Sequence, residues 1–267
     1  MNLPLILEPE ALQAALKHDN LLVVDLSSEA SYLQGHVPGA IHLPFQKLMC
    51  GEPPAPGRLP NNQRLQQIGA NLGLADDIHV IAYDDEGGGW AGRFIWTLEV
   101  MGHKKFSYLN GGIHAWRGLN LTEQSEQVTA TQCEYTLPNL NRSVIAETDD
   151  ILAELDNDNF VVLDARSPGE YRGEKVFSAR GGHIPGAINC DWINLMDRDR
   201  NLRIRADAKS FLAALGINKD QQIVTHCQSH HRSGLTYLIG KSLGFNIRAY
   251  HGSWSEWGNR TDTPIEN

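Results

Sequence analysis

The chain has 267 residues, of which 41% are hydrophobic and 21% are charged, and its formal net charge is −9. The composition excludes a disordered or fibrous protein, and the length suits two domains or one large α/β domain. The acidic charge argues against a nucleic-acid partner, because such a surface repels polyanions.

The N-terminus lacks the basic and apolar regions of a secretion signal. Farther along the chain, no apolar run reaches the roughly 20 residues that a membrane-spanning helix needs. We therefore expect a cytoplasmic protein that does not interact with membranes.

One series of segments occurs twice along the chain, in the same order. It begins with an apolar strand that ends in aspartate, at residues 21–25 and again at 160–164. A Gly-His-x-Pro-Gly-Ala-Ile motif follows at residues 35–41 and 182–188, and six of its seven positions are identical in the two copies. A repeat of this length indicates two copies of one domain.

Each copy continues with a strand, a polar loop, a helix and a glycine that ends the helix. The strands are predicted at residues 78–83 and 222–226, and the helices at 91–101 and 233–243. Other predicted helices cover residues 9–18, 62–72, 148–156 and 206–215. Each copy ends with a short strand, a glycine turn and tryptophan. The continuous apolar strands are typical of a parallel sheet covered by helices on both faces, so both copies are predicted to be α/β.

A polar stretch rich in Thr, Gln, Asn and Glu separates the two copies. It shows no helical periodicity, which is typical of a linker. The sequence therefore predicts a first domain at residues 1–120, a linker at 121–142 and a second domain at 143–267.

The four cysteines lack the spacing of a disulfide framework or a zinc site. Cys50, Cys133 and Cys190 are expected to be buried thiols that pack as small apolar side chains. Cys227 differs, because it directly follows a predicted strand and precedes a predicted helix. Ligand sites of parallel sheets form at such strand ends.

A thiol that faces a helix N-terminus is favoured as thiolate by the helix dipole and by free backbone N–H groups. Arg232 adds a fixed positive charge, so the loop can hold an incoming anion against the sulfur. We predict that Cys227 is the nucleophile. The predicted substrate-binding residues in this loop are Ser229, His230, His231, Arg232 and Ser233.

Titration of His230 and His231 near pH 6.5 would make the activity pH-dependent. Together with His226 and Cys227 these histidines could also suggest a metal site. Side chains in one tight turn cannot all reach one tetrahedral centre, so no metal is predicted. No cofactor is predicted either.

The length of the loop helps to distinguish two kinds of reaction, phosphate hydrolysis and sulfur transfer. Only four residues lie between Cys227 and Arg232, one fewer than in the phosphate-binding loop of cysteine-dependent phosphatases. A shorter loop fits a smaller target, a single sulfur atom carried by the cysteine as a persulfide. A phosphatase or arsenate-reductase activity remains an alternative, as does a sulfur-carrier module that delivers the persulfide sulfur to a protein partner.

The repeated Asp-ending strand, the Gly-His-Ile-Pro-Gly-Ala motif, the Cys227–Arg232 loop and the terminal Gly-Ser-Trp-Ser-Glu-Trp resemble the two-domain rhodaneses. The resemblance covers nearly the whole chain. It implies two tandem rhodanese-like domains, each with a mainly parallel five-stranded sheet flanked by helices. It also implies sulfur transfer from thiosulfate to cyanide or a cellular thiol. The loop differs from the Cys-Gly-Ser-Gly pattern of mercaptopyruvate enzymes, which leaves the choice of donor open.

The first copy has Asp84 at the position of Cys227. Aspartate cannot carry a persulfide, and the acidic, glycine-rich loop after it would repel an anionic donor. We therefore expect the first domain to be catalytically silent, as the resemblance also implies, and the site to lie between the domains.

Arg180 is predicted to orient the substrate, in preference to Arg166 and Arg172, since the family places a basic residue in this region. Trp192 could line the pocket, although a core position is more typical of tryptophan. Structural roles are predicted for four further residues, namely Asp25 and Asp164 at strand ends and His36 and His183 in the repeated turn motif.

Overall fold

The computed structural model describes residues 3–267 and shows two five-stranded sheets, each of them entirely parallel. The first contains β1 (Ile6–Leu7), β2 (Leu21–Asp25), β3 (Ile41–His42), β4 (His79–Tyr83) and β5 (Phe106–Leu109), in the order β1-β5-β4-β2-β3. Five helices accompany it, α1 (Pro9–Ala15), α2 (Glu29–Gln34), α3 (Asn62–Leu72), α4 (Gly89–Val100) and α5 (Gly112–Gly118).

The second sheet repeats this topology. It contains β6 (Ile145–Ala146), β7 (Phe160–Asp164), β8 (Ile188–Asn189), β11 (Gln222–His226) and β12 (Asn246–Tyr250), in the order β6-β12-β11-β7-β8. Its helices are α6 (Thr148–Glu154), α7 (Pro168–Tyr171), α8 (Ala208–Ala214), α9 (Arg232–Ser242) and α10 (Ser253–Trp257). The predicted α/β class with five-stranded sheets is thus confirmed.

A short antiparallel pair was not predicted from the sequence. It is formed by β9 (Met196–Asp197) and β10 (Arg203–Ile204), which lie between β8 and α8. Several predicted helices are also too long by a few residues. The predicted helix at residues 9–18 ends at Ala15, for example, and the one predicted at 206–215 spans Ala208–Ala214.

The repeated Gly-His-x-Pro-Gly motif forms the same turn in both halves. In the first, the Ala40 N–H donates to the Val37 carbonyl at 2.9 Å, and Gly39 has a φ of 78°. Proline followed by a residue of positive φ is typical of a type II turn, which explains the glycine. The imidazole of His36 stacks on Tyr32, with its Nδ1 2.8 Å from the Tyr32 carbonyl oxygen.

The second copy of the turn motif repeats this arrangement. His183 stacks on Tyr171, and its Nδ1 lies 2.9 Å from the Tyr171 carbonyl oxygen. The structural roles predicted for His36 and His183 are confirmed.

The two halves pack through α4 and α9, which cross at glycines. A side chain at Gly92 would collide with the backbone of Gly234, and a side chain at Gly234 would collide with the backbone of Arg93. The missing side chains let the two helix starts approach closely. One apolar cluster runs through this interface and includes core residues of both halves, such as Leu98 and Leu238.

The burial predicted for the cysteines holds only in part. Cys190 is buried, and burial raises the pKa of its thiol to about 12. Cys50 is half-buried and Cys133 is exposed, so the prediction of buried thiols is wrong for these two. Cys133 lies in the segment between the two sheets, which packs only partly against either half. Within residues 3–267, none of the helices is both long and apolar enough to cross a membrane.

Candidate active site

Cys227 directly follows β11, the central strand of the second sheet, and α9 begins five residues later at Arg232. The residue is only 1% exposed. Its carbonyl accepts from the Trp254 N–H at 3.0 Å, and its own N–H donates to the Ser253 hydroxyl at 3.4 Å. These bonds to α10 hold the backbone that carries the sulfur.

Several effects act in opposite directions on the pKa of the Cys227 thiol. Burial is the largest of them and opposes ionisation. Arg232, the backbone N–H and hydroxyl of Ser233, and His231 favour the thiolate, and together they hold the pKa of Cys227 below its ordinary value. The predicted thiolate-favouring loop is therefore present.

Arg232 forms an ion pair that the sequence did not reveal. Its guanidinium donates to both carboxylate oxygens of Glu170, at 2.7 and 2.8 Å. Burial opposes ionisation of Glu170, but this pair and the Ser167 hydroxyl and N–H lower its pKa to about 2. Glu170 belongs to the capping box of α7, so it is itself fixed in place. The pair fixes the position of the Arg232 charge beside the sulfur.

His230 is fully buried and has a φ of 54°, which is uncommon outside glycine. Its Nδ1 lies 2.8 Å from the Ser233 hydroxyl, and its ring meets Trp96 edge to face. Burial, with Arg93 nearby, holds its pKa well below the ordinary value. The expectation that His230 titrates near pH 6.5 is therefore wrong. A protonated imidazole at this buried position would lose its hydration, and this cost favours the neutral form.

His231 points toward the first half of the chain. Its ring stacks on Trp90 with centroids 4.0 Å apart, and its Nε2–H donates to the Glu86 carboxylate. Trp192 flanks the same ring at 5.6 Å, so it lies next to the loop. The first half thus supplies a carboxylate and an aromatic surface to the loop that follows Cys227.

Ser229 lies in the middle of the loop, and Ser233 lies just after its end. The backbone of Ser229 packs so closely on Gly57 that this glycine has no room for a side chain. Ser233 is buried in the first turn of α9, next to His230 and the thiol. Of the five predicted loop residues, Arg232, Ser233 and His231 thus act on the Cys227 thiol, whereas His230 bonds to Ser233 and Ser229 packs on Gly57.

The three other predicted arginines have structural partners. Arg180 donates to the carbonyls of Trp257 and Thr263 at 3.0 and 2.9 Å, so it holds the C-terminal segment. Its guanidinium is occupied there, which argues against the predicted contact with substrate. Arg166 is buried in an ion pair with Asp164, and Arg172 pairs with Glu174 on the surface.

The two strand-ending aspartates bind local backbone. Asp25 accepts from the Ser27 N–H at 2.7 Å, and Asp164 accepts from the Arg166 N–H at 3.0 Å. Their predicted structural roles are confirmed. Residues 3–267 hold no group of three or more His, Cys, Asp or Glu side chains placed to bind a metal ion.

The equivalent loop of the first half contains a buried carboxylate. Asp84 Oδ1 accepts from the N–H groups of Glu86, Gly87 and Gly88 at 3.1, 3.0 and 2.8 Å, and Oδ2 accepts from Ala91 at 2.9 Å. Burial and the neighbouring Glu86 nevertheless raise the pKa of Asp84 to about 6. A loop of this shape therefore gathers backbone donors around an anionic group at its first position.

Sequence reasoning missed Glu170, Glu86 and Arg93. The S-x-x-E capping pattern of Ser167 to Glu170 marks a helix start, and it was available as a signal for Glu170. Nothing local indicated Glu86 or Arg93, because both reach the loop from the other half of the chain.

The sequence model of the Rhodanese-like domain matches residues 8–119 and again residues 147–260. The thiosulfate sulfurtransferases of Azotobacter vinelandii and Pseudomonas aeruginosa are 48% and 45% identical, each over 99% of this chain and 98% of the relative. The sulfur carrier protein TtuD of Thermus thermophilus is 31% identical over 88% of this chain and 86% of its own.

A solved structure of EanB with its Y353A substitution, in complex with ergothioneine, has the same fold. Its TM-score is 0.88 at 19% identity, covering 98% of this chain and 70% of that one. The duplicated domain, the loop around Cys227 and these relatives agree, and the chain belongs to the rhodanese family.

Proposed function

We propose that this protein is a thiosulfate sulfurtransferase that carries sulfur on Cys227. The observation that carries the proposal is a buried thiol whose pKa is lowered by Arg232 and by the start of α9. A thiolate held among positive groups and N–H donors can both attack a sulfur atom and bind an anionic donor. The full-length thiosulfate sulfurtransferases among its relatives support the same activity.

In the first half-reaction the Cys227 thiolate attacks the outer sulfur of thiosulfate. A bond forms between Sγ and that sulfur, and the bond between the two sulfurs of thiosulfate breaks. Its electron pair leaves with sulfite, and Cys227 becomes a persulfide. Arg232 attracts and orients the anionic donor, while Glu170 fixes the guanidinium.

The backbone N–H groups of Ser229 through Ser233 hold the terminal sulfur of the persulfide. The Asp84 loop supports this role, because its N–H groups bind a carboxylate oxygen one bond beyond Cγ, where the persulfide has its outer sulfur. In the second half-reaction a thiophile such as cyanide attacks the outer sulfur. Thiocyanate leaves, and the bonding electron pair returns to Sγ as thiolate.

The two halves have different roles in this proposal. Residues 143–267 form the catalytic domain, residues 1–120 form a domain without sulfurtransferase activity of its own, and residues 121–142 link them. Asp84 supports the silence of the first domain, since its buried carboxylate occupies the position of the nucleophile and cannot accept sulfur.

Delivery of the sulfur to a protein acceptor is a second candidate function. Phe177 and Val176 are 66% and 52% exposed, and the Phe177 carbonyl accepts from the side chain of Gln228, the residue after Cys227. An apolar surface beside the loop suits a protein partner, and a sulfur carrier protein is among the relatives. No observation favours a phosphatase, and the four-residue spacing of the loop opposes it. The cytoplasmic location and the absence of a metal or cofactor stay predictions.

The intact mass of the purified protein after incubation with thiosulfate, and again after cyanide, tests the proposal. We expect a gain of about one sulfur atom that peptide mapping places on Cys227 and that cyanide removes. Cys133→Ser is the control, and it should gain the same mass. An unchanged mass together with hydrolysis of an aryl phosphate would replace the proposal by the phosphatase alternative.

A further inference from the structure

Arg93 lies on α4 of the first half and is fully buried. One of its terminal nitrogens donates to the Leu48 carbonyl at 2.7 Å, and the other donates to the His230 carbonyl at 3.4 Å. The guanidinium carbon lies 4.8 Å from the centre of the Trp96 ring. Arg93 thus reaches across the interface and contacts the loop that follows Cys227.

Among the residues that the structure describes, no carboxylate pairs with the buried charge of Arg93. Arg166, which is only 1% exposed, pairs with the Asp164 carboxylate at 2.6 Å. Arg93 by contrast bonds only to carbonyl oxygens within residues 3–267, and its Nε has no hydrogen-bond partner. An uncompensated buried charge is costly, so a partner of negative charge is expected close by.

The groups that favour the charged form of Arg93 are the thiols of Cys227 and Cys50. Burial nevertheless lowers the pKa of Arg93 to about 9. The surroundings of Cys227 lower the pKa of its thiol, so they favour the negative charge that would compensate Arg93. Arg93 therefore contacts the loop that carries the thiol with which its charge interacts.

We propose that Arg93 is a positioning residue of the active site, which brings from the first domain a second buried positive charge that favours the Cys227 thiolate and its persulfide. Arg93 also donates a hydrogen bond to the His230 carbonyl, and this bond helps to fix His230 in its positive-φ conformation. The part of this inference that concerns the persulfide rests on the proposed function. The part that concerns the thiolate does not.

This role gives the silent domain a share in the chemistry. Asp84 removes the nucleophile from the first domain, yet Arg93, nine residues later, contributes charge to the second site. The catalytic domain alone would then hold a thiol of higher pKa, because the positive charge of Arg93 would be missing.

The test compares Arg93→Lys, Arg93→Gln and Arg93→Met with the unaltered protein. The rate at which iodoacetamide alkylates Cys227 is followed across pH, with peptide mapping to identify the thiol. We expect Arg93→Met and Arg93→Gln to raise the pKa of Cys227 by about one unit. At pH values below that pKa, alkylation should then be roughly tenfold slower than in the unaltered protein. Lysine keeps the charge and should keep the pKa near that of the unaltered protein.

Lys241→Met is the matched control, because Lys241 also bridges α9 and α4, through an ion pair with Glu99, but lies away from the loop. It should leave the alkylation profile unchanged. If Arg93→Lys and Arg93→Gln show the same dependence of the alkylation rate on pH, the proposal is overturned. This comparison remains valid even if Arg93→Met does not fold. The readout does not involve thiosulfate, so a shifted pKa with no persulfide formation would refute the proposed function and leave the role of Arg93 in place.

Discussion

The loops after β4 and β11 have the same length and the same place in their domains, but they carry different side chains at their first position. Each connects the central strand of its sheet to a helix over five residues. In the first half the position holds the Asp84 carboxylate, which backbone N–H groups surround. In the second it holds the Cys227 thiol, with Arg232 and Ser233 beside it.

The glycines account for part of this difference. Gly87 and Gly88 have φ values of 101° and 105°, which let the first loop fold tightly over the carboxylate. In the second loop His230 has a φ of 54°, while His231 has a φ of −95° and stacks on Trp90. The comparison teaches that one duplicated loop binds its own carboxylate as a structural feature, whereas the other keeps an ionisable sulfur and is contacted by residues of the first half.

The strongest test of this comparison is Cys227→Ser. Serine lacks a nucleophilic thiolate, so we expect thiosulfate:cyanide activity to fall by roughly a thousandfold or more, with an unchanged thermal unfolding midpoint. Steady-state rates and circular dichroism measure the two effects. Retention of most of the activity would show that another group is the nucleophile.

Arg232→Met should have the next largest effect. Loss of the cation removes an anchor for thiosulfate and raises the pKa of Cys227, so kcat/KM for thiosulfate should fall by roughly a hundredfold. The variant also leaves the buried Glu170 carboxylate without its positively charged partner. The double variant Arg232→Met with Glu170→Gln should recover stability but not activity, whereas recovery of activity would reduce Arg232 to a structural role.

Asp84→Ala should change stability and not catalysis. Four N–H groups lose their acceptor, so we expect the free energy of unfolding to drop by roughly 3 kcal/mol, with kcat changed by less than about twofold. Urea denaturation and steady-state kinetics at a temperature where both proteins are folded separate the two quantities. A large loss of kcat in the folded variant would mean that the first loop takes part in the reaction.

The smallest effect is a pH dependence from Glu170. Its pKa in the folded protein is about 2, below the ordinary 4.5, so it contributes stability that is fully present above pH 4.5. That contribution is lost as the pH falls from about 4.5 toward 2. The difference in unfolding free energy between the unaltered protein and Glu170→Gln should stay constant from pH 8 to about 5 and shrink below 4.5. A difference that also varies above pH 5 would contradict the ion pair as its source.

The sequence was sufficient where the signal is local. Apolar runs predicted the central strands, with residues 21–25, 160–164 and 222–226 matching the observed bounds. The proline and glycine of the repeated motif predicted its turn, and the position of Cys227 between strand and helix predicted the candidate nucleophile. Helix ends were less predictable, because the last turn depends on packing as well as on residue type.

Only the tertiary structure decided which charges act on the sulfur. It pairs Arg232 with Glu170, turns Arg180 toward the C-terminal segment, and brings Glu86 and Arg93 to the loop from the other half. These contacts depend on the docking of two domains and on the reach of long side chains. A local pattern records which groups a loop carries, whereas burial and distance, which set their pKa values, exist only once distant segments pack together.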